Sequence, residues 1–147
     1  MQFVRCLSLS DWFCWDFFKS SSKVDGGEFT VSETRWHRSD DIRILAHPVE
    51  RQKHSQRFVA SVDARLLVVD EATTGRWLEQ LSEVCLPLSA SSSSIVLDGV
   101  HYELELESDG RARCRIQWES VIPTEWASIE PIIAELTSVL DAASTFE

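Results

Sequence analysis

The sequence predicts an α+β domain, mainly an antiparallel sheet with a C-terminal helix packed on one face and a second helix near residues 71–85. Three observations carry this. Residues 100–107 and 112–118 alternate between apolar and charged side chains on either side of Asp109-Gly110. Apolar residues recur at helical spacing from Trp126 to Leu140, and Trp77, Leu78, Leu81, Val84 and Cys85 share a helical face behind Asp70. The 147 residues suit a single domain, 1–147, with room for a proper core.

In chain order, the first marked segment is Asp11-Trp12-Phe13-Cys14-Trp15-Asp16-Phe17-Phe18, which holds five aromatics in eight residues. As a helix capped by Ser10 it is apolar nearly all round; as a strand it is apolar on both faces. Either it is tucked into the core, or it leaves an aromatic anchor for a partner, since Trp and Phe concentrate in interface cores. On the second reading Trp12, Trp15 and Phe18, flanked by Asp11 and Asp16, are the candidate contact residues. Phe29 to Trp36 is rich in β-formers and predicts a strand. Ile42 to Val49 reads likewise, with Pro48 marking an edge or bulge. Residues 51–56 are polar and turn-like, and Phe58 to Val69 is a long strand candidate ending in the apolar run Leu66-Leu67-Val68-Val69. Asp70 is placed to cap the following helix, although Gly75 weakens its start. The serine-rich residues 89–94 form a short connector.

The hairpin can be read to its register. Tyr102, Leu104 and Leu106 share one face, with Glu103, Glu105 and Glu107 on the other. Ala112, Cys114, Ile116 and Trp118 likewise stand opposite Arg111, Arg113, Arg115 and Gln117. A two-residue Asp109-Gly110 turn would set Leu106 against Arg113 and mix the faces. A three-residue loop, Ser108 to Gly110, sets Leu106 across from Ala112, Leu104 from Cys114 and Tyr102 from Ile116. Glu107, Glu105 and Glu103 then meet Arg111, Arg113 and Arg115, at roughly 0.2–1 kcal/mol per pair. The glutamate row therefore reads as a solvated ladder of ion pairs, not as a metal or partner site.

In the C-terminal helix, Ile129, Ile132, Ile133, Leu136, Val139 and Leu140 form the apolar stripe, facing the Tyr102/Leu104/Leu106 side of the sheet. Ser128 suits the N-cap, which places Glu130 and Pro131 in the first turn. A start at Thr124 would put Pro131 inside the helix, at about 3 kcal/mol. A short turn over Pro123–Ala127 and a helix from about Ile129 to Asp141 are expected.

Asp98-Gly99-x-x-Tyr102-x-Leu104, a strand ending in Trp118, then Pro123-x-x-Trp126 and a Leu/Ile-rich helix make up about a third of the chain. This pattern resembles the C-terminal half of small bacterial proteins encoded beside polymorphic toxins, the immunity proteins. The resemblance implies a cytoplasmic protein that binds and masks a cognate secreted toxin domain. Its motif consists of turn and core residues, so it assigns no functional residue here.

The net charge of −10 argues against nucleic acid as a ligand and favours basic partners. From Ile116 onward there are six acids (Glu119, Glu125, Glu130, Glu135, Asp141, Glu147) and no Lys or Arg. Such a face suits a basic, nuclease-type toxin, which makes Glu119 and Glu125 candidate contact residues too. No apolar run is long enough to span a membrane, and Asp11 and Asp16 interrupt the aromatic N-terminal segment, so a secretory signal is not expected. The four cysteines have no C-x-x-C spacing and read as reduced, and no zinc site or other cofactor is expected. Catalytic motifs are missing: His47-x-x-Glu50 would point its side chains to opposite faces of a strand, and Cys14 has no base visible in sequence. The leading expectation is thus a non-enzymatic immunity protein. The alternative is an adaptor or scaffold module for another cellular protein, with a homodimer through the aromatic segment open in either case.

Overall fold

Strands form where β-branched and aromatic residues alternate with polar ones. They are Gln2–Leu7 (β1), Trp12–Lys19 (β2), Phe29–Trp36 (β3), Val62–Val68 (β4), Val100–Ser108 (β5) and Ala112–Glu119 (β6). Helices occupy Arg38–Ala46 (α1), Pro48–His54 (α2), Glu71–Glu83 (α3) and Glu130–Thr145 (α4), the last entered through a 3-10 helix at Thr124–Ile129. The computed structural model describes residues 1–7, 11–19, 29–54, 58–87, 90, 99–108 and 112–145. The expected serine-rich connector falls mostly outside these residues, as do Asp98 and the loop Asp109 to Arg111.

The strands make one six-stranded antiparallel sheet in the order β4-β3-β2-β1-β5-β6. β1 to β4 run as a meander, and the segment containing α3 returns the chain so that β5 joins the other side of β1. The result is the predicted α+β class, with the C-terminal helix in place. Register turns alternation into two surfaces. One row across the sheet reads Arg65, Glu33, Trp15, Phe3, Leu104, Ile116, and the next reads Leu66, Ser32, Asp16, Gln2, Glu105, Arg115. The first set packs into the core with Phe17, Val31, Leu67 and Trp118, beneath Trp77 and Leu81 of α3 and Ile132, Ile133, Leu136 and Leu140 of α4. Each fully buried Leu or Ile supplies roughly 1.5–3 kcal/mol before chain entropy.

Polar ties fix α4 over the sheet. Arg5 grips Asp141 with two hydrogen bonds, 2.9 and 2.6 Å. Buried Glu33 accepts from Trp15 Nε1 (2.8 Å), Arg65 Nε (2.8 Å) and the Ser144 hydroxyl, and Arg65 also donates to the Ser144 carbonyl. Asp70 caps α3 as expected, accepting from Thr73 N–H at 2.9 Å.

Several expectations are corrected. The β5–β6 faces are as read, but the pairing is shifted by two residues: Ser108 faces Ala112, Leu104 faces Ile116 and Tyr102 faces Trp118. A shift of two leaves every side chain on its own face, so the face argument could not separate the two registers. The stacking of Tyr102 on Trp118, ring centroids 5.3 Å apart, belongs to the observed one. Ile42 to Val49 is helical, not a strand: Asp40 and Asp41 occupy the first turn of α1, and Pro48 opens α2, where its missing N–H is no loss. The polar residues 51–54, read as a turn, belong to α2. His47 therefore lies between two helices, and Glu50 pairs with Lys53 at 2.7 Å. The C-terminal helix begins at Glu130 and not at a Ser128 cap, because Thr124–Ile129 winds as a 3-10 helix, started by a Trp126 N–H bond to the Pro123 carbonyl (2.8 Å). The strand β1 was not foreseen at all.

Glu33→Ala strands the Trp15 and Arg65 donors together. It is expected to destabilise the fold by about 3 kcal/mol, read as a lowered urea midpoint with unchanged slope.

Candidate functional site

α3 and α4 cover one face of the sheet. The side chains of the second set stand on the other face, which is open outside the end where Arg38 and Asp41 of α1 meet Cys6 and Trp36. This face divides into two chemically distinct halves. On β5 and β6 it is charged. Glu105 is clamped by Arg113 (2.6 Å) and Arg115 (2.7 Å), and Arg115 also reaches Glu103 at 3.3 Å. The Arg115 hydrogen bond, against the opposing effect of burial, holds the Glu105 carboxyl below the ordinary carboxylate range. Glu105 is buried between its arginines, so this part of the ladder is less solvated than the sequence suggests.

On β2 and β4 the open face carries exposed apolar side chains, with Thr30, Ser32, Thr34 and Trp36 of β3 between them. Trp12 is 39% exposed, Phe18 54%, Val62 52%, Leu66 71% and Val68 87%. β2 pairs with β3, and β3 with β4, so that Phe18, Thr30 and Val68 form one row while Asp16, Ser32 and Leu66 form the next. Trp12 meets Trp36 edge to face, ring centroids 5.8 Å apart. Asp16 supplies one carboxylate within the patch and accepts from Gln2 Nε2 at 2.7 Å.

The aromatic segment is therefore neither wholly core nor wholly interface. A helix would have put Trp12, Trp15 and Phe18 on one side; the strand sends Trp12, Asp16 and Phe18 to the open face and Trp15 inward. Trp15 is fully enclosed, with Phe3 stacked on it at 5.7 Å, and has no surface to offer a partner. Asp11 is held by Arg35 (2.9 and 2.6 Å) and Ser39 (3.1 Å). Burial raises its pKa, but these bonds outweigh that and lower it overall. Among the C-terminal acids, Glu119 pairs with His101 (2.7 Å), Asp141 with Arg5 and Glu135 with Arg76. Glu125 is exposed on the 3-10 helix. The acidic C-terminal face is thus partly used up in holding the fold. Val62, Leu66 and Val68 were missed because residues 66–69 look like a buried run; the usable signal was alternation of Val62, Ala64, Leu66 and Val68 with Asp63 and Arg65.

The remaining chemistry is sparse. The four cysteines are free thiols. Burial, reinforced by Asp16, pushes the Cys14 thiol up to about 12, so it stays protonated near neutrality. Among the described residues no three His, Cys, Asp or Glu side chains cluster as metal ligands, and no helix is long and apolar enough to cross a membrane. An apolar cavity of about 650 Å3 lies between the end of α3, the hairpin and the 3-10 helix. Its described lining, which includes Leu81, Leu106, Ile116 and Trp126, contains no carboxylate or histidine to work as an acid–base pair.

Beside the apolar half, buried Asp41 of α1 accepts from Trp36 Nε1 (2.7 Å), Ser61 N–H (2.9 Å) and the Ser61 hydroxyl (2.8 Å). Burial opposes its ionisation, yet the three donors prevail and its pKa is lowered. A depressed carboxylate adds stability that is fully present above the unfolded value of about 4 and fades as pH falls through the folded one. Asp41→Asn should lower stability at pH 7 by about 1–3 kcal/mol. It should also flatten the loss between pH 5 and pH 3, measured by urea unfolding at each pH. No family model, curated protein or solved structure matches the chain.

Proposed function

We propose that this chain is a non-enzymatic protein-binding domain, and specifically an immunity protein that masks a cognate secreted toxin in the cytoplasm. The observation that carries the binding reading is the apolar half of the open face. Leu66 and Val68 are 71% and 87% exposed on β4, on the same sheet face as Phe18 and Trp12 two strands away, in a chain that buries Trp15, Trp77 and Phe3 completely. Scattered exposed apolar residues are ordinary, but several large ones gathered on one face of paired strands are a feature of partner sites. The specific reading rests on the C-terminal resemblance and on the charge of −10, which suits a basic toxin.

Masking needs no chemistry from the chain. Phe18, Trp12 and Leu66 act as the anchors that exclude water, and Asp16 supplies a carboxylate among them for a basic group of the toxin. Because the anchors stand on paired strands, little ordering is lost on docking.

Co-expression with the product of the adjacent gene, followed by mass measurement of what elutes, tests the reading. A stable complex in equal numbers, with the neighbour toxic when expressed alone, is the expected result. A chain eluting alone beside a harmless neighbour would transfer the case to an adaptor for a different cellular protein. Phe18→Ala combined with Leu66→Ala is expected to weaken the complex by about 2–4 kcal/mol, a change of roughly 30- to 1000-fold, with cooperative unfolding retained. Trp15→Ala, in contrast, should cost about 3–5 kcal/mol of stability, read by thermal unfolding.

A further inference from the structure

The two ends of the sheet are finished differently. β6, at one end, carries Arg113, Arg115, Gln117 and Glu119 on its open-face side, the kind of charged edge that discourages strand pairing. β4, at the other, carries Val62, Ala64, Leu66 and Val68 there, and among the described residues no strand pairs with its outer side. An apolar strand edge of that kind is a template for another strand.

The groups it offers follow from the β3–β4 ladder. His37 N–H donates to the Ser61 carbonyl at 2.9 Å, which continues the register by one pair beyond Trp36 and Val62. Residues 61, 63, 65 and 67 therefore sit at the hydrogen-bonded positions against β3, and the amides and carbonyls of Val62, Ala64, Leu66 and Val68 point away from it.

We propose that this edge pairs with a second copy of the chain, β4 against β4, antiparallel about a two-fold axis at Ala64. The strand is complementary to itself in that register. Registers centred on Ala64, Arg65 or Leu66 leave the face alternation intact, and centres on Ala64 and Leu66 or on Arg65 all match outward groups to outward groups. Centring on Arg65 sets that arginine against its own copy. Centring on Leu66 sets Arg65 against Leu67 and Asp63 against Val69. Only the Ala64 centre sets Asp63 opposite the partner's Arg65, twice by symmetry, while Val62 meets the partner's Leu66 on the open face. Asp63 has a side chain 79% exposed and touches His37 at 2.7 Å, while Arg65, 33% exposed, would take the partner's Asp63 as a further acceptor beside Glu33 and the Ser144 carbonyl. Ala64 on the axis brings only a methyl group against its copy. The pairing joins two six-stranded sheets edge to edge, and it goes beyond the partner reading without resting on it, because the open faces of both copies stay uncovered.

Sedimentation equilibrium of the full chain over the micromolar range, with residue-resolved amide exchange on the same samples, tests the proposal. The expected mass is twice that of the 16.7 kDa chain. The Val62, Ala64 and Leu66 amides should become as protected as Asp63 and Arg65, and should lose that protection on dilution. Ala64→Pro removes one outward N–H without touching the β3 ladder, and should sediment as single chains. Asp63→Arg places like charges across the axis and should weaken self-association at least tenfold, with no demand on Ala64 if the proline variant does not fold. Single-chain mass at every concentration would overturn the proposal. So would a dimer in which the Val62, Ala64 and Leu66 amides exchange freely, since it would use another surface.

Discussion

Two helices, α3 and α4, cover one face of this sheet and the other is open outside the end that α1 meets, so each strand must satisfy two environments with alternating residues. That constraint explains why neighbouring side chains have opposite fates. Trp15 is enclosed while Trp12 and Phe18 are exposed; Leu67 is buried while Leu66 and Val68 face outward. A slip of one residue in any strand would exchange the two surfaces and expose the core. The fold and the candidate contact face are therefore set by the same register.

The covered face is not purely apolar. Its row Arg65, Glu33, Trp15 places a buried carboxylate under the end of α4, where Trp15, Arg65 and Ser144 all converge on it. A buried pair of this kind adds little net energy compared with apolar packing, but it is severe when half of it is lost. Its contribution is to fix where α4 ends relative to β2, β3 and β4, with Arg5 and Asp141 doing the same further along the helix. Arg5 also lies over the Phe13 and Trp15 rings, at 5.2 and 5.4 Å from their centroids. The aromatic segment thus serves as packing surface on one side while it presents its other side to solvent.

Much of this was legible in the sequence, and the failures have physical causes. The strand β3, the Asp70 cap and the apolar stripe of α4 were read correctly because each rests on local periodicity or a single side-chain bond. The hairpin faces were right and its register wrong, since parity fixes faces only, while Glu105 bonds both Arg113 and Arg115 and the Tyr102–Trp118 stacking belongs to the observed pairing. Ile42 to Val49 misled because Ile42 and Ile44 alternate like a strand, although Asp40, Asp41 and Pro48 carry helix-start chemistry. The contact face was half legible. Five aromatics in eight residues announced a segment with two apolar sides, but which residues face out depends on strand order. That β4 lies at the end of the sheet, leaving Leu66 and Val68 uncovered, is a property of topology that no local pattern reveals.

The central claim, that the apolar half of the open face is where a protein partner sits, is tested most directly by covalent surface footprinting of the chain alone and in complex with the adjacent gene's product. The account predicts that Trp12, Phe18, Leu66 and Val68 lose most of their labelling in the complex, while Arg113 and Glu125 change little. Full labelling of those four residues in a saturated complex, with protection confined to α1, α2 or the C-terminal acids, would contradict it.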